Sequence, residues 1–421
     1  MLEPVTAVLL GAGGRGYHSY GPYALEHPDE LRFVAVAEPD PVRRERFASA
    51  HGIPPERRFA TWEELLSRQR MADALLNTTQ DQMHYPSTMA ALDAGYHLLL
   101  EKPMAERREH VVDLVQTAEN AGLLLQVCHV LRYTDMFATL HDILATGRIG
   151  DIITVEHREN VVFWHMAHSF VRGHWRNAAL SSPMILAKCC HDLDILYWNL
   201  GEPASRLQSF GSLMHLRAEN APEGAMQRCT DGCTVDCKYD ARLIYLDPKR
   251  TGWPISAVTD AVTPEGRLHA LEEGPYGRCV YHCDNNVVDH QTVSMEFPSG
   301  ATVTLFMHGH AYEEARTMRY DGTRATLRGK FDSSGGLIEI HDHRTGQCEN
   351  ITLPVGMSGH GGGDFGIMRA FVKAMRGEKK PLTSGRESLE SHLMAFAAEE
   401  SRLRHTVVDM ADYRARAVNR V

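Results

Sequence analysis

The segment VTAVLLGAGGRG, residues 5–16, decides how the first part of this chain folds. A short apolar run, Thr6–Leu10, leads directly into Gly11, Gly13 and Gly16, and a helix-like stretch follows. A strand that ends in GxGxxG and opens a helix presents backbone N–H groups to a pyrophosphate, because the glycines permit a tight turn and close backbone approach. The segment therefore predicts the first unit of a dinucleotide-binding domain.

The rest of the first 128 residues repeats the alternation of strand and helix. Four further strands are predicted at Leu31–Ala37, Ala74–Asn77, Tyr96–Leu100 and Leu123–Cys128. They are apolar on both faces, which is typical of a parallel sheet covered by helices. We therefore predict an α/β fold whose N-terminal Rossmann domain, a doubly wound parallel sheet, spans residues 1–128.

The pattern changes in the second part of the chain. Short strands with turn signals between them are predicted through most of residues 205–353. Val293–Phe297 and Thr302–Phe306 flank a Pro-Ser-Gly turn and read as a hairpin. We expect a C-terminal α/β domain with a large open, mostly antiparallel sheet over residues 129–355, followed by a helical return over 356–421.

Composition limits the class of protein. The chain has 421 residues, of which 43% are apolar and 23% charged, as in ordinary globular proteins. No apolar run approaches the ~20 residues of a membrane span, and a formal charge of −10 disfavours a nucleic-acid partner. The opening Met-Leu-Glu-Pro lacks the pattern of a secretory signal, and nine cysteines, an odd number, fit a reducing compartment. We expect a cytoplasmic protein without membrane or nucleic-acid partners.

Glu38 predicts which dinucleotide is bound. It ends the second strand, where a carboxylate accepts hydrogen bonds from the adenosine ribose hydroxyls and repels a 2′-phosphate. We therefore expect NAD as the cofactor, while Arg43 and Arg44 shortly afterwards keep NADP open.

Lys102 follows the predicted strand Tyr96–Leu100 within Glu101-Lys102-Pro103, at the sheet edge where ligands bind. A lysine there can face the nicotinamide and the reacting carbinol. Partial desolvation would lower its pKa and let it exchange a proton with an alcohol. A surface ion pair is the alternative interpretation of this tripeptide.

Three segments together resemble the Gfo/Idh/MocA family, which includes glucose–fructose oxidoreductase and inositol dehydrogenases. They are GAGGRG at 11–16, TQDQMH at 79–84 and AGYHLLLEKP at 94–103. The resemblance extends over nearly the whole chain. It implies an NAD-dependent oxidoreductase that transfers hydride between nicotinamide and a secondary carbinol of a sugar or sugar derivative. We also expect a homo-oligomer that associates through the open sheet.

The resemblance implies roles for individual residues. Lys102 looks like the catalytic lysine, and His191, which opens HDLD at 191–194, like the proton-transferring histidine. The cofactor-binding residues are expected to be Gly11, Gly13, Arg15, Gly16, Glu38, Thr79, Gln80, His84, Glu101 and Lys102. The expected substrate-binding residues are Arg132, Tyr133, His165, Arg172, Trp175, Arg176 and Asp194.

One departure from the family affects the chemistry. Many relatives carry an Asp four residues before the histidine, where this chain has Ala187 followed by Lys188. Either Lys102 and His191 carry the proton alone or the reaction differs. The alternative is an NAD-dependent glycosidase that transiently oxidises an anionic glycoside, eliminates the aglycone, adds water and reduces again. A ligand-binding protein without activity is a third possibility, which the retained Lys102 disfavours.

Residues 158–176 are rich in cationic and aromatic side chains. Arginine forks bind carboxylate, sulfonate or phosphate, and a tryptophan face stacks on a sugar ring. The cluster predicts a pocket for an acidic or heavily hydroxylated sugar, with a solvated loop as the alternative.

Five cysteines form a second cluster. Cys229, Cys233 and Cys237 are spaced by four residues, and Cys279 and Cys283 follow about forty residues later. Four thiolates suit the tetrahedral coordination of zinc, so we predict structural zinc on the first four of them. Buried free thiols, which behave as small apolar residues, are the alternative.

Overall fold

The computed structural model describes residues 3–356 and 360–419. The outermost ends of the first and last predicted domains, and residues 357–359, therefore lie outside the described residues. The first sheet contains β1 (Val5–Leu10), β2 (Leu31–Ala37), β3 (Arg58–Phe59), β4 (Ala74–Asn77), β5 (His97–Leu100) and β6 (Leu125–Val127). The second sheet contains β7 (Ile152–Val162), β8 (Arg206–Ser212), β9 (His290–Glu296), β10 (Thr302–Ala311), β11 (Ala315–Gly322), β12 (Ala325–Asp332), β13 (Gly335–Asp342), β14 (Cys348–Leu353) and β15 (Val408–Asp409).

The helices of the first part of the chain are α1 (Gly21–Glu26), α2 (Pro41–Ala50), α3 (Trp62–Leu66), α4 (Asp81–Asp93), α5 (Arg108–Asn120), α6 (Asp135–Ala145), α7 (Phe163–His165), α8 (Met184–Ala187) and α9 (Cys190–Leu200). The later helices are α10 (Ala241–Tyr245), α11 (Ile255–Val258), α12 (Pro264–Glu273), α13 (Gly363–Met375), α14 (Gly385–Arg404) and α15 (Met410–Asn419). No helix within the described ranges is long and apolar enough to cross a membrane.

The first sheet confirms the predicted Rossmann domain. Its strands are all parallel and run in the order β3-β2-β1-β4-β5-β6, the doubly wound arrangement. The chain reverses its direction of travel across the sheet between β1 and β4, so their carboxyl ends border the crevice where ligands bind in such folds. The helix predicted after the glycine loop begins as a π-helical segment, Gly14–Tyr20, before α1.

The second sheet confirms the predicted open, mostly antiparallel architecture. Its order is β14-β13-β12-β11-β7-β10-β9-β8-β15, and only the pairing of β7 with β10 is parallel among the described strands. The predicted hairpin is present, with Val293 opposite Leu305. Buried and less buried residues alternate along β9 and β10, because one face of the sheet packs on the core.

One part of the second domain differs from the prediction. Residues 213–289, all of which the structure describes, contain no strand of the sheet and instead hold α10, α11 and α12. The apolar residues Ala241, Ile244 and Tyr245 recur at helical spacing, and they pack with Ile255 in a small core of their own. We call residues 213–289 the insertion, because they lie between the adjacent strands β8 and β9.

The C-terminal return contacts both sheets. Ile367 and Phe371 of α13 join the core beneath β1, whereas α14 packs on α5 and α9 and β15 extends the second sheet beside β8. The return therefore holds the carboxyl edge of the first sheet against the helices of the second domain, where the candidate site lies.

Candidate active site

The glycine loop after β1 fits a pyrophosphate. Gly11 has a φ of +86°, and a Cβ on Gly16 would lie 2.1 Å from the Gly11 carbonyl oxygen, so neither position accepts a side chain. A Cβ on Gly13 or Gly14 would instead meet nothing within 4 Å. The loop therefore turns tightly on one side and leaves open space on the other, beside the start of a helical segment. This is the shape in which backbone N–H groups hold a dinucleotide.

Glu38 lies at the end of β2, beside that loop. Its carboxylate accepts hydrogen bonds from the backbone N–H of Ala12 at 2.7 Å and of Asp40 at 3.0 Å. Each carboxylate oxygen has a further lone pair with which to accept a ribose hydroxyl. The arrangement therefore suits the ribose-binding role that the sequence predicts.

Arg15 binds other protein groups rather than projecting freely from the glycine loop. Its Nε donates to Glu101 Oε1, and its two Nη atoms donate to the carboxylate of Asp364 at 3.0 and 2.8 Å. Burial alone would raise the pKa of Glu101, but the charges of Arg15 and Lys102 outweigh it and lower that pKa. Arg15 and Glu101 thus join the glycine loop, the end of β5 and the start of α13.

The loop after β4 supports the same edge of the sheet. Both ring nitrogens of buried His84 lie near carbonyl oxygens, Nδ1 at 2.6 Å from Pro103 and Nε2 at 3.0 Å from Thr79. Thr79 Oγ1 donates to Asn77, and Gln80 is exposed. His84 therefore joins the loops after β4 and β5, and contact of Thr79 and Gln80 with a cofactor stays a prediction.

Lys102 brings this edge into contact with the second domain. Its Nζ donates a 2.9 Å hydrogen bond to the backbone carbonyl oxygen of Ala187, the last residue of α8. Ala187 is the position at which the family resemblance leads us to expect an Asp. The lysine thus contacts that position, but the acceptor is a backbone carbonyl and not a carboxylate.

His191 lies in the first turn of α9, four residues after Ala187, and is almost fully buried. Burial, followed by the positive charge of Lys102, holds its pKa well below the usual range, so its imidazole is neutral at pH 7. Its Nδ1 has no hydrogen-bond partner among the described residues. The structure therefore places a neutral imidazole near an ammonium group, with one ring nitrogen unused.

Two further histidines that the sequence reasoning did not select lie beside His191. The ring centroid of His129 lies 5.6 Å away and that of His360 lies 6.1 Å away. His129 is fully buried, whereas the side chain of His360 is 41% exposed and its Nδ1 lies 3.0 Å from Asp364 Oδ1. The chain's 24 histidines were the only available signal, and a count does not say which of them converge.

A buried ionic network fixes the helix that carries His191. Asp192 Oδ1 accepts hydrogen bonds from His157 Nε2 at 2.8 Å and Arg316 Nε at 2.9 Å. Burial opposes ionisation, but Arg316 and His157 together lower the pKa of Asp192 to about 2. Glu159 bridges Arg316 to Lys188, so each charge faces an opposite one. The network holds the first turn of α9 in place.

The predicted substrate residues Arg132 and Asp194 bind each other. Arg132 Nε and Nη2 donate to the two Asp194 carboxylate oxygens at 2.7 Å each, and both side chains are buried. The Tyr133 hydroxyl accepts from Gln126 Nε2 at 3.1 Å. These residues thus make contacts within the protein, and direct substrate binding by them remains a prediction.

The four predicted substrate residues of the region 158–176 each contact another part of the protein. Trp175 Nε1 donates to Asp81 at the start of α4, so this tryptophan does lie at the boundary with the first domain. The remaining contacts are His165 with Glu314, Arg176 with Asp284, and buried Arg172 with the carbonyl oxygens of Arg278 and Tyr239.

These contacts account for part of the positive charge in this region. The Arg176 and His165 side chains face carboxylates, whereas buried Arg172 contacts backbone carbonyls and its Nη1 has no hydrogen-bond partner among the described residues. A pocket for an acidic or heavily hydroxylated sugar here therefore stays a prediction.

The prediction of structural zinc is not supported. Cys229, Cys233, Cys237 and Cys279 border one cavity of about 20 Å³, but their thiols do not form a ligand group. Within the described ranges, the only group that satisfies the geometry for a metal is Glu339, His341 and Cys348 on the second sheet.

Burial explains the state of the cysteine cluster. It raises the pKa of Cys237 and of Cys279, which favours thiols over the thiolates that zinc requires. Cys229 Sγ instead accepts hydrogen bonds from Arg172 Nη2 and from the backbone N–H of Ala241. Buried free thiols, the alternative interpretation, fit these contacts.

Comparison with known proteins agrees with this architecture. Residues 5–129 match a model described as an oxidoreductase family with an NAD-binding Rossmann fold, and residues 142–410 match the C-terminal alpha/beta domain of the same family. The chain is 33% identical over 144 residues to dTDP-3,4-didehydro-2,6-dideoxy-α-D-glucose 3-reductase of Streptomyces antibioticus, covering 34% of this chain and 42% of that protein. It is 27% identical over 198 residues to 1,5-anhydro-D-fructose reductase of Ensifer adhaerens, covering 46% and 56% respectively. The alignments thus span about half the length of these relatives.

Solved structures share the fold over almost the whole chain. Levoglucosan dehydrogenase, in complex with NADH and L-sorbose, superposes with a TM-score of 0.72 at 15% identity, covering 97% of this chain and 99% of that one. An Agrobacterium radiobacter oxidoreductase in complex with NAD⁺, L-tartaric acid and magnesium gives 0.70 at 16% identity, covering 97% and 99%. Both family models match in order and together span most of the chain, so this protein belongs to the Gfo/Idh/MocA oxidoreductase family.

Proposed function

We propose that this protein is an NAD-dependent oxidoreductase acting on a secondary carbinol of a sugar or cyclitol. The observation that carries the proposal is the meeting of Lys102, from the ligand-binding edge of the first sheet, with the α8–α9 turn that presents His191. These two groups supply a positive charge and a neutral base at one place.

The residues divide the proton chemistry between them. His191, whose pKa is lowered by burial and by Lys102, can accept the hydroxyl proton of the carbinol. The Lys102 ammonium, held by the Ala187 carbonyl oxygen, stabilises the negative charge that develops on the carbinol oxygen. NAD, when bound, supplies the acceptor for the hydride. Gly11, Gly13 and Glu38 would hold it.

The names of relatives support the substrate class. One acts as a reductase of a deoxysugar nucleotide, one of 1,5-anhydro-D-fructose, and one from Bacillus subtilis is a scyllo-inositol 2-dehydrogenase that uses NADP⁺. All three names denote sugar or cyclitol rings that carry a carbinol or a ketone. We propose the same class here. An acidic member of it stays a prediction, because Arg176 and His165 face carboxylates whereas buried Arg172 contacts only carbonyl and thiol groups and its Nη1 has no hydrogen-bond partner among the described residues.

A specific observation keeps the NAD-dependent glycosidase as a second candidate. His360 and Asp364 form a partly exposed imidazole–carboxylate pair near His191. Elimination of an aglycone needs a base for the carbon-bound proton and an acid for the leaving oxygen, in addition to the group that handles the hydroxyl. The His360–Asp364 pair offers such an additional proton carrier.

One assay separates the two candidates. The purified protein is incubated with NAD and either free sugars and inositols or their aryl glycosides, while absorbance from NADH and from released aglycone is followed together. Net NADH from a free polyol supports the dehydrogenase. Aglycone release without net NADH supports the glycosidase, and neither signal across the panel contradicts both.

We also propose that copies associate through the open face of the second sheet. Phe210 of β8 and Leu337 of β13 are exposed apolar residues on this face, since they alternate with the buried positions of their strands. Light scattering after size exclusion tests this proposal. A dimer or larger assembly that dissociates in Phe210→Glu supports it, and a native monomer contradicts it.

A further inference from the structure

The insertion reaches from the second domain to the adenosine end of the proposed cofactor site. Asp260, between α11 and α12, accepts hydrogen bonds from Arg43 Nε at 3.2 Å and from Arg46 Nη1 at 2.9 Å. Both arginines lie on α2, which follows Glu38 and β2. A residue more than 200 positions away thus sits beside the segment that would recognise the ribose.

Arg46, which binds Asp260, also contacts the π-helical segment that follows the glycine loop. The Arg46 guanidinium lies over the Tyr17 ring, 4.2 Å from its centroid. Burial lowers the pKa of His18 first, and the neighbouring Arg46 charge lowers it further while Asp260 opposes it. Asp260 therefore lies against α2 and close enough to His18 of the π-helical segment for its charge to act on that ring, and these two elements border the adenosine end of a Rossmann site.

Arginines that follow β2 are the groups that accommodate the additional 2′-phosphate of NADP. Here, Arg44 Nη1 donates to the Glu38 carbonyl oxygen, and Arg43 is paired with Asp260. Arg46 is paired as well. Each of these three arginines therefore donates to an oxygen of the protein. The carboxylate of Asp260 accepts from two of them.

We propose that Asp260 of the insertion is a specificity residue that makes this chain select NAD over NADP. It does so by occupying Arg43 and Arg46 and by placing a negative charge where a 2′-phosphate would have to approach. Glu38, in the first domain, repels the 2′-phosphate of NADP. Asp260, in the second domain, adds a second negative charge that repels it. The inference rests on the proposed dinucleotide site and names a residue that determines its selectivity.

The exposure of the ion pairs makes the proposal testable. The side chains of Asp260 and Arg46 are each 31% exposed and that of Arg43 is 34% exposed. Ion pairs this exposed contribute little to stability, so their removal should leave the chain folded. Asp260→Asn keeps the size of the side chain and removes its charge. Glu219→Gln is the matched control, because Glu219 lies in the same insertion and pairs with exposed Arg217.

Calorimetric titration of the full-length protein with NAD and with NADP gives the readout without any turnover. We expect the native protein to bind NAD more tightly than NADP. Asp260→Asn should tighten NADP binding by roughly tenfold, as expected for one released charge-assisted hydrogen bond, and leave NAD binding unchanged. Glu219→Gln should change neither. Adding Arg43→Gln to Asp260→Asn should remove most of the gain, because the freed arginine is the group that binds the phosphate.

The outcomes separate this inference from the proposed function. If the native protein binds neither dinucleotide, the proposed function fails and the inference falls with it. The folding of Asp260→Asn is confirmed by its melting temperature. If the native protein prefers NAD and this variant binds NADP no more tightly than the native protein does, the inference alone is overturned. An equal gain in Glu219→Gln would also overturn it, since the effect would then be one of net charge.

Discussion

The Nζ of Lys102 donates a 2.9 Å hydrogen bond to the backbone carbonyl oxygen of Ala187. This single contact joins the carboxyl edge of the first sheet to the turn that presents His191. The acceptor is a backbone carbonyl and not a side-chain carboxylate, so the contact does not depend on which side chain residue 187 carries. It explains how the candidate site is assembled with an alanine at that position.

Replacing Lys102 tests its role in proton chemistry. We expect Lys102→Ala to lower turnover on the order of 10²–10⁴-fold, because alanine cannot stabilise the developing charge on the carbinol oxygen. NAD binding measured by calorimetry should persist, since the glycine loop is untouched. Lys330→Ala, on the remote strand β12, is the matched control and should retain activity. Near-native turnover in Lys102→Ala would show that the lysine is not involved.

Because Arg132 and Asp194 bind each other, we expect a substitution of Arg132 to lower the stability of the protein rather than its affinity for substrate. Arg132→Ala leaves the buried Asp194 carboxylate without its partner, which costs about 3–5 kcal/mol. Urea unfolding should show this loss, and the double variant Arg132→Met/Asp194→Leu should recover a large part of it. If Arg132→Ala unfolds like the native protein but its substrate KM rises, the pair binds substrate directly.

The buried histidines predict acid sensitivity. Burial lowers the pKa of His392 to about 3, and its Nε2 accepts a hydrogen bond from the Met104 backbone N–H. The unfolded chain binds this proton near pH 6.5 and the folded chain does not. Between these values, each pH unit of acidification therefore removes about 1.4 kcal/mol of stability per such histidine.

The free energy of unfolding of the native protein should accordingly fall as the pH is lowered below about 6.5. His392→Gln keeps an acceptor for the Met104 backbone N–H. Its free energy of unfolding should depend less steeply on pH, by the amount that one bound proton contributes. Equal slopes for the two proteins between pH 6.5 and 5 would contradict a neutral buried His392.

Arg176 tests whether substrate charge is recognised in the region 158–176. Because its guanidinium binds Asp284, we expect Arg176→Ala to change KM equally for a charged sugar and for its neutral analogue. A penalty confined to the charged sugar would support the anionic-substrate hypothesis. Arg158→Ala, which removes an exposed pair with Glu156, is the control.

The cysteine cluster predicts thiols without zinc, and the exposure of Cys348 predicts the fastest-reacting thiol. We expect a chelator to leave the melting temperature unchanged and elemental analysis to find no zinc that depends on Cys233. Cys348, which is exposed, should react with a thiol reagent before the buried and half-buried cysteines do. Cys348→Ser should abolish that fast phase. Stoichiometric zinc, lost in Cys233→Ser together with thermal stability, would reinstate the structural metal site.

The parts of the fold that follow from local pattern were predictable. The glycine loop, the apolar strands and the hairpin around Val293 and Leu305 all follow from periodicity and turn residues. The insertion was not, because its short helices break the strand pattern and pack in a small core of their own. Sequence spacing also could not show that Asp260 meets Arg43, since that contact depends on how two domains fold together.

The sequence predicted which types of residue form the candidate site. It did not predict which protein groups these residues bind. Lys102 and His191 stand out through motifs, and the structure places them near each other. Arg172 and Asp194 also looked like ligand-binding residues, but they are buried against protein groups contributed by other elements. A single sequence does not distinguish a charge that awaits a ligand from one that is paired inside the fold.

Lys102 and His191 are proposed to carry out an NAD-dependent oxidation of a polyol carbinol. The decisive measurement is a single-turnover experiment with excess protein, NAD and a panel of sugars and inositols, followed at the absorbance of NADH. We expect formation of NADH with at least one polyol, strongly slowed in Lys102→Ala and His191→Asn although both variants still bind NAD. NADH formation at native rates in both variants would contradict it.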